Sequence, residues 1–156
     1  MDTKILQKLY GINADVMHRN IEGLSHDDSL CQPQPGGNCL NWVVGHIVVT
    51  RNLTLDLLGR ERVWDESRAK PYKRYSEPIK GGSQAPNFSD IITAFDKSQE
   101  EVMAGLQQLR PEQLDQLVDD KETLREKLSL LYFHETYHLG QTAILRRLAG
   151  KAGAIK

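Results

Sequence analysis

Hydrophobic residues recur every three or four positions along most of the chain, which is the spacing of one face of an α-helix. The strict alternation of apolar and polar residues that is typical of β-strands is nearly absent. Four stretches carry the helical pattern: about Thr3 to Leu24, residues 39–59, a stretch from near Asn87 to the break at Pro111, and one from near Glu122 onward. The pattern therefore predicts an all-α protein.

Each predicted helix has one stripe that we expect to face the core. The stripes are Ile5, Leu9, Ile12 and Val16 in the first helix; Cys39, Val43, His46, Thr50, Leu53 and Leu57 in the second; Ile91, Phe95, Ser98, Val102 and Leu109 in the third; and Leu124, Leu128, Leu131, His134, His138, Gln141, Leu145 and Leu148 in the fourth. Three histidines thus fall on faces that are predicted to be buried.

The segments between these helices are rich in turn residues. Asn38 is expected to cap the second helix and Gly59 to end it, and Asn87 or Ser89 to cap the third. Residues 60–87 are charged, contain several prolines and glycines, and show no sustained period, so they predict a long crossover loop. Four helices with one long crossover predict a four-helix bundle in a single domain spanning residues 1–156.

Composition narrows the class of partner. The chain has 156 residues, 39% hydrophobic and 26% charged, with a formal net charge of -1, so nothing in its charge indicates nucleic acid or an anionic membrane as a partner. No apolar run is long enough for a signal peptide or a membrane span, which predicts a cytoplasmic protein. Cys31 and Cys39 are expected to be reduced thiols. Small molecules are the expected partners.

The stretch "FHETYHLGQ", residues 133–141, contains the HExxH pattern of zinc proteases. Residues four apart on a helix share a face, so His134 and His138 can both turn a ring nitrogen toward one ion. A zinc protease needs a third ligand downstream, but "LGQTAILRRLAGKAGAIK" contains no histidine, cysteine or acid. We expect the third ligand upstream, at His46, because His18 falls off the apolar stripe and His26 lies in a polar loop.

Two motifs, "NWVVGHI" and "HETYHLGQ" followed by "ILRRLAG", together resemble the DinB or YfiT-like metal-binding four-helix bundles. This family includes bacterial thiol-dependent transferases and metal-dependent hydrolases. The resemblance places the metal triad on His46, His134 and His138. It also implies a divalent ion, zinc or nickel, with a water completing the shell, and a homodimer that forms through helix faces.

Three functions are compatible with these residues. In the first, a thiol S-transferase, the metal activates a low-molecular-weight thiol that attacks an electrophilic substrate; the thiol is implied only by the resemblance. In the second, a hydrolase, water on the metal is the nucleophile and Glu135 takes its proton. The third is a non-enzymatic metal-binding interaction protein, although no fourth protein ligand is evident that would close a structural site.

Each residue beside the predicted ligands has two possible roles. Glu135 borders the metal face as a candidate catalytic base, or it orients a ligand histidine or forms a salt bridge with a neighbouring helix. Trp42, Tyr137 and Gln141 are expected beside the ligands or in a substrate pocket. The basic and aromatic stretch "RAKPYKRYSE", residues 68–77, is interpreted as a solvated loop.

Overall fold

The computed structural model describes residues 2–81 and 85–155, and within these ranges its regular elements are helices, with one isolated β-bridge. The helices are α1 (Thr3–Ile21), α2 (His26–Ser29), α3 (Leu40–Leu57), α4 (Glu66–Ala69), α5 (Phe88–Gln108) and α6 (Leu124–Leu148), with 3-10 turns at Lys70–Tyr72 and Pro111–Asp115. The prediction of an all-α protein is confirmed. In the part of the chain that the structure describes, no helix combines the length and apolar character needed to cross a membrane.

Polar side chains fix most helix starts. Asp2 accepts a hydrogen bond of 2.8 Å from the backbone N–H of Ile5, and Asn87 accepts one from Ser89 at the start of α5. Two predicted boundaries were wrong. Cys39 rather than Asn38 occupies the position before α3, without a side-chain cap, and α1 ends at Ile21 because Gly23 turns the backbone at φ 70°.

The four long helices α1, α3, α5 and α6 bury two apolar clusters, one toward each end of the molecule. Helices α1 and α3 each pack against both α5 and α6. The first cluster includes Met17, Val43, Ile47, Phe95 and Leu139, and the second includes Leu6, Leu55, Val102, Leu106 and Leu128. The N-terminal halves of α3 and α5 therefore meet in the first cluster, and their C-terminal halves meet in the second.

The predicted core face of α1 was wrong. Ile5 and Ile12 are 48% and 45% exposed, and the buried apolar side chains of this helix are Leu6, Tyr10, Ala14, Met17 and Ile21. The buried face also carries Asn13 and Asn20, whose side-chain amides donate hydrogen bonds to α6. Because these two polar residues interrupt the buried face of α1, the neighbouring stripe that begins at Ile5 had the more regular hydrophobic pattern in the sequence.

The predicted core face of α6 is also displaced. His134, His138 and Gln141 are only partly buried and Leu148 is 53% exposed. The fully buried face consists of Leu124, Leu128, Glu135, Leu139, Thr142 and Leu145. The histidines therefore flank the core, on the side of α6 that faces α3. On α3, Leu53 is likewise 50% exposed, outside the core where it was predicted.

A layer of polar side chains separates the two apolar clusters. Arg51 of α3 donates from Nε and Nη2 to the two carboxylate oxygens of Glu135 of α6, each at 2.8 Å. Its Nη1 donates to Ser98 Oγ and to the carbonyl of Phe95 on α5, and Asn13 of α1 donates to Glu135. One buried hydrogen-bond network thus contacts all four long helices.

Candidate metal centre

Three histidines from two facing helices meet at the edge of the first apolar cluster. His46 lies in the middle of α3, and His134 and His138 lie one turn apart on α6. One ring nitrogen from each histidine can be chosen so that all three atoms lie within 4.8 Å of one another. The Nε2 atoms of His46 and His134 are 3.3 Å apart. The structure therefore brings together the three residues that the sequence predicted as a triad.

The separation of these nitrogens fits a metal ion. Two nitrogens that each lie ~2.1 Å from a tetrahedrally coordinated zinc ion are about 3.4 Å apart. In His46, Nδ1–H donates to the backbone carbonyl of Tyr72 at 2.6 Å, which leaves the Nε2 lone pair free. His138 is arranged in the same way, with Nδ1 paired to Gln141 Oε1 at 2.8 Å. Two of the three rings are therefore held in the tautomer that can coordinate through Nε2.

Burial also keeps the three rings neutral. Desolvation lowers the pKa of His46, His134 and His138, and the neighbouring histidines lower that of His134 further, to about 4. Hydrogen bonds that His46 donates to the Tyr72 carbonyl, and His138 to Gln141 Oε1, oppose this lowering of their pKa values. Neutral imidazole is the form that binds a metal, so the site is ready for an ion near neutral pH.

A glycine brings the Tyr72 carbonyl to His46. Gly45 immediately precedes His46 in α3, and a Cβ at this position would lie 2.2 Å from Cδ1 of the Tyr72 ring. A glycine inside a helix is unfavourable by about 1 kcal/mol relative to alanine. Here the missing side chain lets Tyr72 pack against α3, and the backbone of Tyr72 then reaches His46.

The other predicted neighbours also surround the triad. The Trp42 ring stacks on His46 with 4.6 Å between ring centroids, and its Nε1–H donates to Ser76 Oγ at 2.8 Å. The Tyr137 ring meets His138 edge-on at 5.3 Å and is 61% exposed. Trp42 thus contacts His46 from the buried side, and Tyr137 contacts His138 from the solvent side.

A cavity of about 410 Å³ opens beside His138. Its walls come from the 33–38 loop, from α3 and from the last turns of α6, and the lining residues that matter here are Trp42, Val43, Tyr137, Gln141, Ile144 and Leu148. Among the described residues that line it, His138 alone is ionisable as an acid or a base near neutral pH. The cavity therefore suits an uncharged, largely apolar molecule placed next to the triad.

Glu135 turns away from the triad and into the core. It is 3% exposed, and both of its oxygens accept hydrogen bonds from Arg51. The salt bridge with a neighbouring helix, which the sequence left open as the alternative use of this residue, is present. Its role as a catalytic base stays a prediction.

Sequence reasoning missed two partners of these residues. Arg51 is the one arginine or lysine in "LNWVVGHIVVTRNLTLDL", the sequence of α3. A buried arginine needs an acidic partner. Glu135 lies in α6 beside the histidines that were predicted to face α3, so its pairing with Arg51 could have been inferred. The contact between the Tyr72 carbonyl and His46 had a weaker signal in the sequence. That signal is Gly45, a residue unfavourable inside a helix, directly before His46.

Comparison with known protein families matches the DinB superfamily over residues 12–142. The chain belongs to the DinB superfamily. Among solved structures, it resembles the crystal structure of the conserved protein of locus from Enterococcus faecalis, with a TM-score of 0.73 and 17% sequence identity, over 97% of this chain and 99% of that one. At this identity the likeness establishes the fold alone. None of the curated proteins matches the chain in sequence.

The DinB match includes all three histidines of the triad. Membership of the DinB superfamily and the histidine cluster together indicate a divalent metal site. The remaining histidines lie elsewhere: His18 pairs with Asp96 at 3.0 Å on the surface, and His26 Nδ1 accepts from the backbone N–H of Phe88. Within residues 2–81 and 85–155, His46, His134 and His138 therefore form the one cluster of three histidine, cysteine or acidic side chains that could hold an ion.

Proposed function

We propose that the protein is a metal-dependent thiol S-transferase whose divalent ion, zinc or nickel, is held by His46, His134 and His138. The observation that carries the proposal is three neutral imidazoles that converge beside an open apolar cavity. A structural site is normally closed by a fourth protein ligand, and among the described residues the cluster contains three ligand side chains. Such a site leaves room for a small molecule.

When bound, the ion would lower the pKa of a thiol ligand and so supply a thiolate at neutral pH. The surrounding residues then position the two reactants. Trp42 and the Tyr72 carbonyl orient His46, Gln141 orients His138, and the apolar cavity holds the electrophilic substrate. The sulfur forms a bond to the electrophilic carbon, the bond to the leaving group breaks, the leaving group takes the electron pair, and the thiol proton goes to solvent.

The alternative is a hydrolase in which water replaces the thiol and Glu135 takes its proton. The contacts of Glu135 favour the transferase over this form of hydrolase. To accept a proton, the carboxylate would have to give up a buried two-point ion pair with Arg51. A thiol has no such need for a protein base, because its proton is lost readily once the sulfur is bound to a cation.

The test is an activity screen on protein purified without a metal-affinity tag and loaded with Zn²⁺ or Ni²⁺. We expect 2-mercaptoethanol and an aryl halide to give the thioether, detected by mass spectrometry, and expect the His138→Ala variant or a chelated sample to give the uncatalysed rate. His18→Ala removes a surface histidine that is paired with Asp96 and serves as the matched control. Thiol-independent cleavage of an ester panel by the same protein would favour the hydrolase instead.

We further propose that the four long helices form a four-helix bundle and that residues 60–87 are its crossover. The halves of α3 and α5 that share each apolar cluster support a parallel arrangement of these two helices. A parallel pair requires the connecting chain to return along the length of the bundle. Residues 82–84 of this connection lie outside the described residues.

The homodimer implied by the family resemblance is also a proposal. The outer face of α6 carries exposed apolar side chains, among them Leu130 at 54% and Phe133 at 66% exposure, neither of which lines the cavity. A second copy of the same helix would cover them. We expect sedimentation velocity to show a dimer for the wild-type protein and a monomer for Phe133→Glu. Leu53→Glu is the control, because it places the same charge at a half-exposed leucine on another helix, α3, and it should leave the dimer intact. A wild-type monomer at tens of micromolar would contradict the proposal.

A further inference from the structure

A tight turn lies next to the triad in the stretch that the sequence presented as a solvated loop. The backbone N–H of Ser76 donates to the carbonyl of Lys73 at 3.0 Å, which closes the turn. Within it, Tyr75 has φ 66°, in the left-handed region that favours glycine or asparagine. An aromatic residue in this conformation is strained, and strained residues of this kind concentrate at ligand-binding sites.

The turn is attached to the candidate metal centre on both sides. On one side, the Tyr72 carbonyl accepts from His46 Nδ1 at 2.6 Å. On the other, Ser76 Oγ accepts from Trp42 Nε1 at 2.8 Å and donates to the Pro71 carbonyl. Positions 74 and 75 lie between these two attachments. The fold therefore holds the backbone of this turn beside the triad.

Arg74 has no acidic partner among the described residues. Its neighbour Lys73 pairs with Glu66. The guanidinium carbon of Arg74 instead lies over the Tyr75 ring, 4.8 Å from the ring centroid. Both side chains are exposed. Within the part of the chain that the structure describes, the Arg74 guanidinium is therefore left without an ion pair, in a turn whose start, the Tyr72 carbonyl, contacts His46.

We propose that Arg74 binds the carboxylate of an anionic low-molecular-weight thiol while the sulfur of that thiol lies at the metal. This inference rests on the proposed thiol-transferase function. Guanidinium matches carboxylate with two parallel hydrogen bonds, and the Tyr75 ring limits the positions that the guanidinium adopts. The cavity on the His138 side has no charged side chain for such a carboxylate, so it is left for the electrophile.

The experiment compares two thiols on the Co²⁺-loaded protein, in which a bound thiolate gives a charge-transfer absorption band. Mercaptoacetate carries a carboxylate, and 2-mercaptoethanol is an uncharged thiol of similar size. We expect wild-type protein to bind mercaptoacetate more tightly, and expect Arg74→Gln to raise its Kd roughly 3- to 10-fold, the effect of losing one partly exposed ion pair. The Kd for 2-mercaptoethanol should be unchanged.

Lys70→Gln is the matched control, because it removes the same charge from an exposed position in the same segment. It should leave both Kd values unchanged. Tyr75→Gly should raise the melting temperature by relieving the left-handed strain, yet weaken mercaptoacetate binding. A higher melting temperature with unchanged binding would leave Tyr75 without a part in recognition and would overturn that step.

The outcomes separate this inference from the function on which it rests. If neither thiol gives a band with wild-type protein that holds Co²⁺ at full occupancy, both the thiol-transferase proposal and the role of Arg74 are wrong. If both thiols give the band and Arg74→Gln changes neither Kd, or changes both equally, only the role of Arg74 is wrong.

Discussion

Arg51 and Glu135 form a two-point ion pair in the centre of the protein, with both N–O distances at 2.8 Å and side-chain exposures of 1% and 4%. The guanidinium carbon also lies 3.9 Å from the centroid of the Phe95 ring. Two buried charges are tolerated here because nearly every donor and acceptor has a partner on another helix. Glu135 is adjacent to His134 in the chain, so the pair also fixes the part of α6 that carries the triad.

Removing one member of this pair should be much more harmful than removing both. We expect Arg51→Met or Glu135→Leu to lower the free energy of unfolding by ~3 to 5 kcal/mol, because each leaves a buried charged group without its partner. The double variant Arg51→Met with Glu135→Leu should lose less than either single variant. Urea unfolding followed by circular dichroism gives all three values.

Arg62→Met provides a matched control, because Arg62 pairs with Asp56 on the surface, where side-chain exposures are 51% and 40%. It should cost no more than ~1 kcal/mol. Equal losses for Arg62→Met and Arg51→Met would show that the central pair contributes no more than a surface pair. Additive losses in the double variant would show that Arg51 and Glu135 act independently.

The helical class and the grouping of the three histidines could be predicted from the sequence, because both depend on the spacing of residues along individual helices. His134 and His138 share a face at any helix position, and His46 lies in the most apolar helix of the chain. The exact core faces of α1 and α6 were not predictable in this way. They depend on Asn13 and Glu135, polar residues that are buried only because a partner from another helix reaches them.

Gly45→Ala should disturb the metal site without touching a ligand. The new Cβ would lie 2.2 Å from the Tyr72 ring, so Tyr72 must move and its carbonyl would leave His46 Nδ1. We expect a loss of ~1 to 3 kcal/mol in stability from overpacking, and metal binding weaker by ~10- to 100-fold through loss of the orienting hydrogen bond. Competition with a chelating dye measures the affinity.

Gly11→Ala is the control for Gly45→Ala. Gly11 also lies inside a long helix, but a Cβ there would meet nothing within 4 Å. It should raise stability by up to ~1 kcal/mol through better helix propensity and leave metal affinity unchanged. Wild-type metal affinity in Gly45→Ala would mean that the Tyr72 carbonyl does not control the orientation of His46.

Acid should release the metal over a range set by the lowered pKa values of the ligands. The unfolded chain takes up protons on histidine at pH ~6.5, whereas burial delays protonation of the native rings, for His134 to a pKa of about 4. Between these values the unfolded chain binds more protons, so stability falls as pH falls. We expect full metal retention above pH ~6.5 and progressive loss toward pH ~4.

Metal content after dialysis, together with helical circular dichroism, measures the acid transition at each pH. The His18→Gln variant should follow the same curve, because His18 lies on the surface and is paired with Asp96. Metal retained in full in folded protein well below pH ~4 would contradict the triad, because His134, with a pKa of about 4, would then be protonated.

The triad itself is tested by removing each ligand in turn. His46→Ala, His134→Ala and His138→Ala should each lose metal binding by more than the ~10- to 100-fold expected for losing an orienting partner, because each supplies one of three ligands. All three should stay helical, since the two apolar clusters contain none of these histidines and the change costs only ~1 to 3 kcal/mol. His46→Ala is the most informative, because a site that depended on the HExxH stretch alone would keep its ion when the α3 ligand is removed. Metal analysis and circular dichroism on the three variants, with His26→Ala as the control, decide the question: full occupancy in a folded His46→Ala protein would place the third ligand elsewhere.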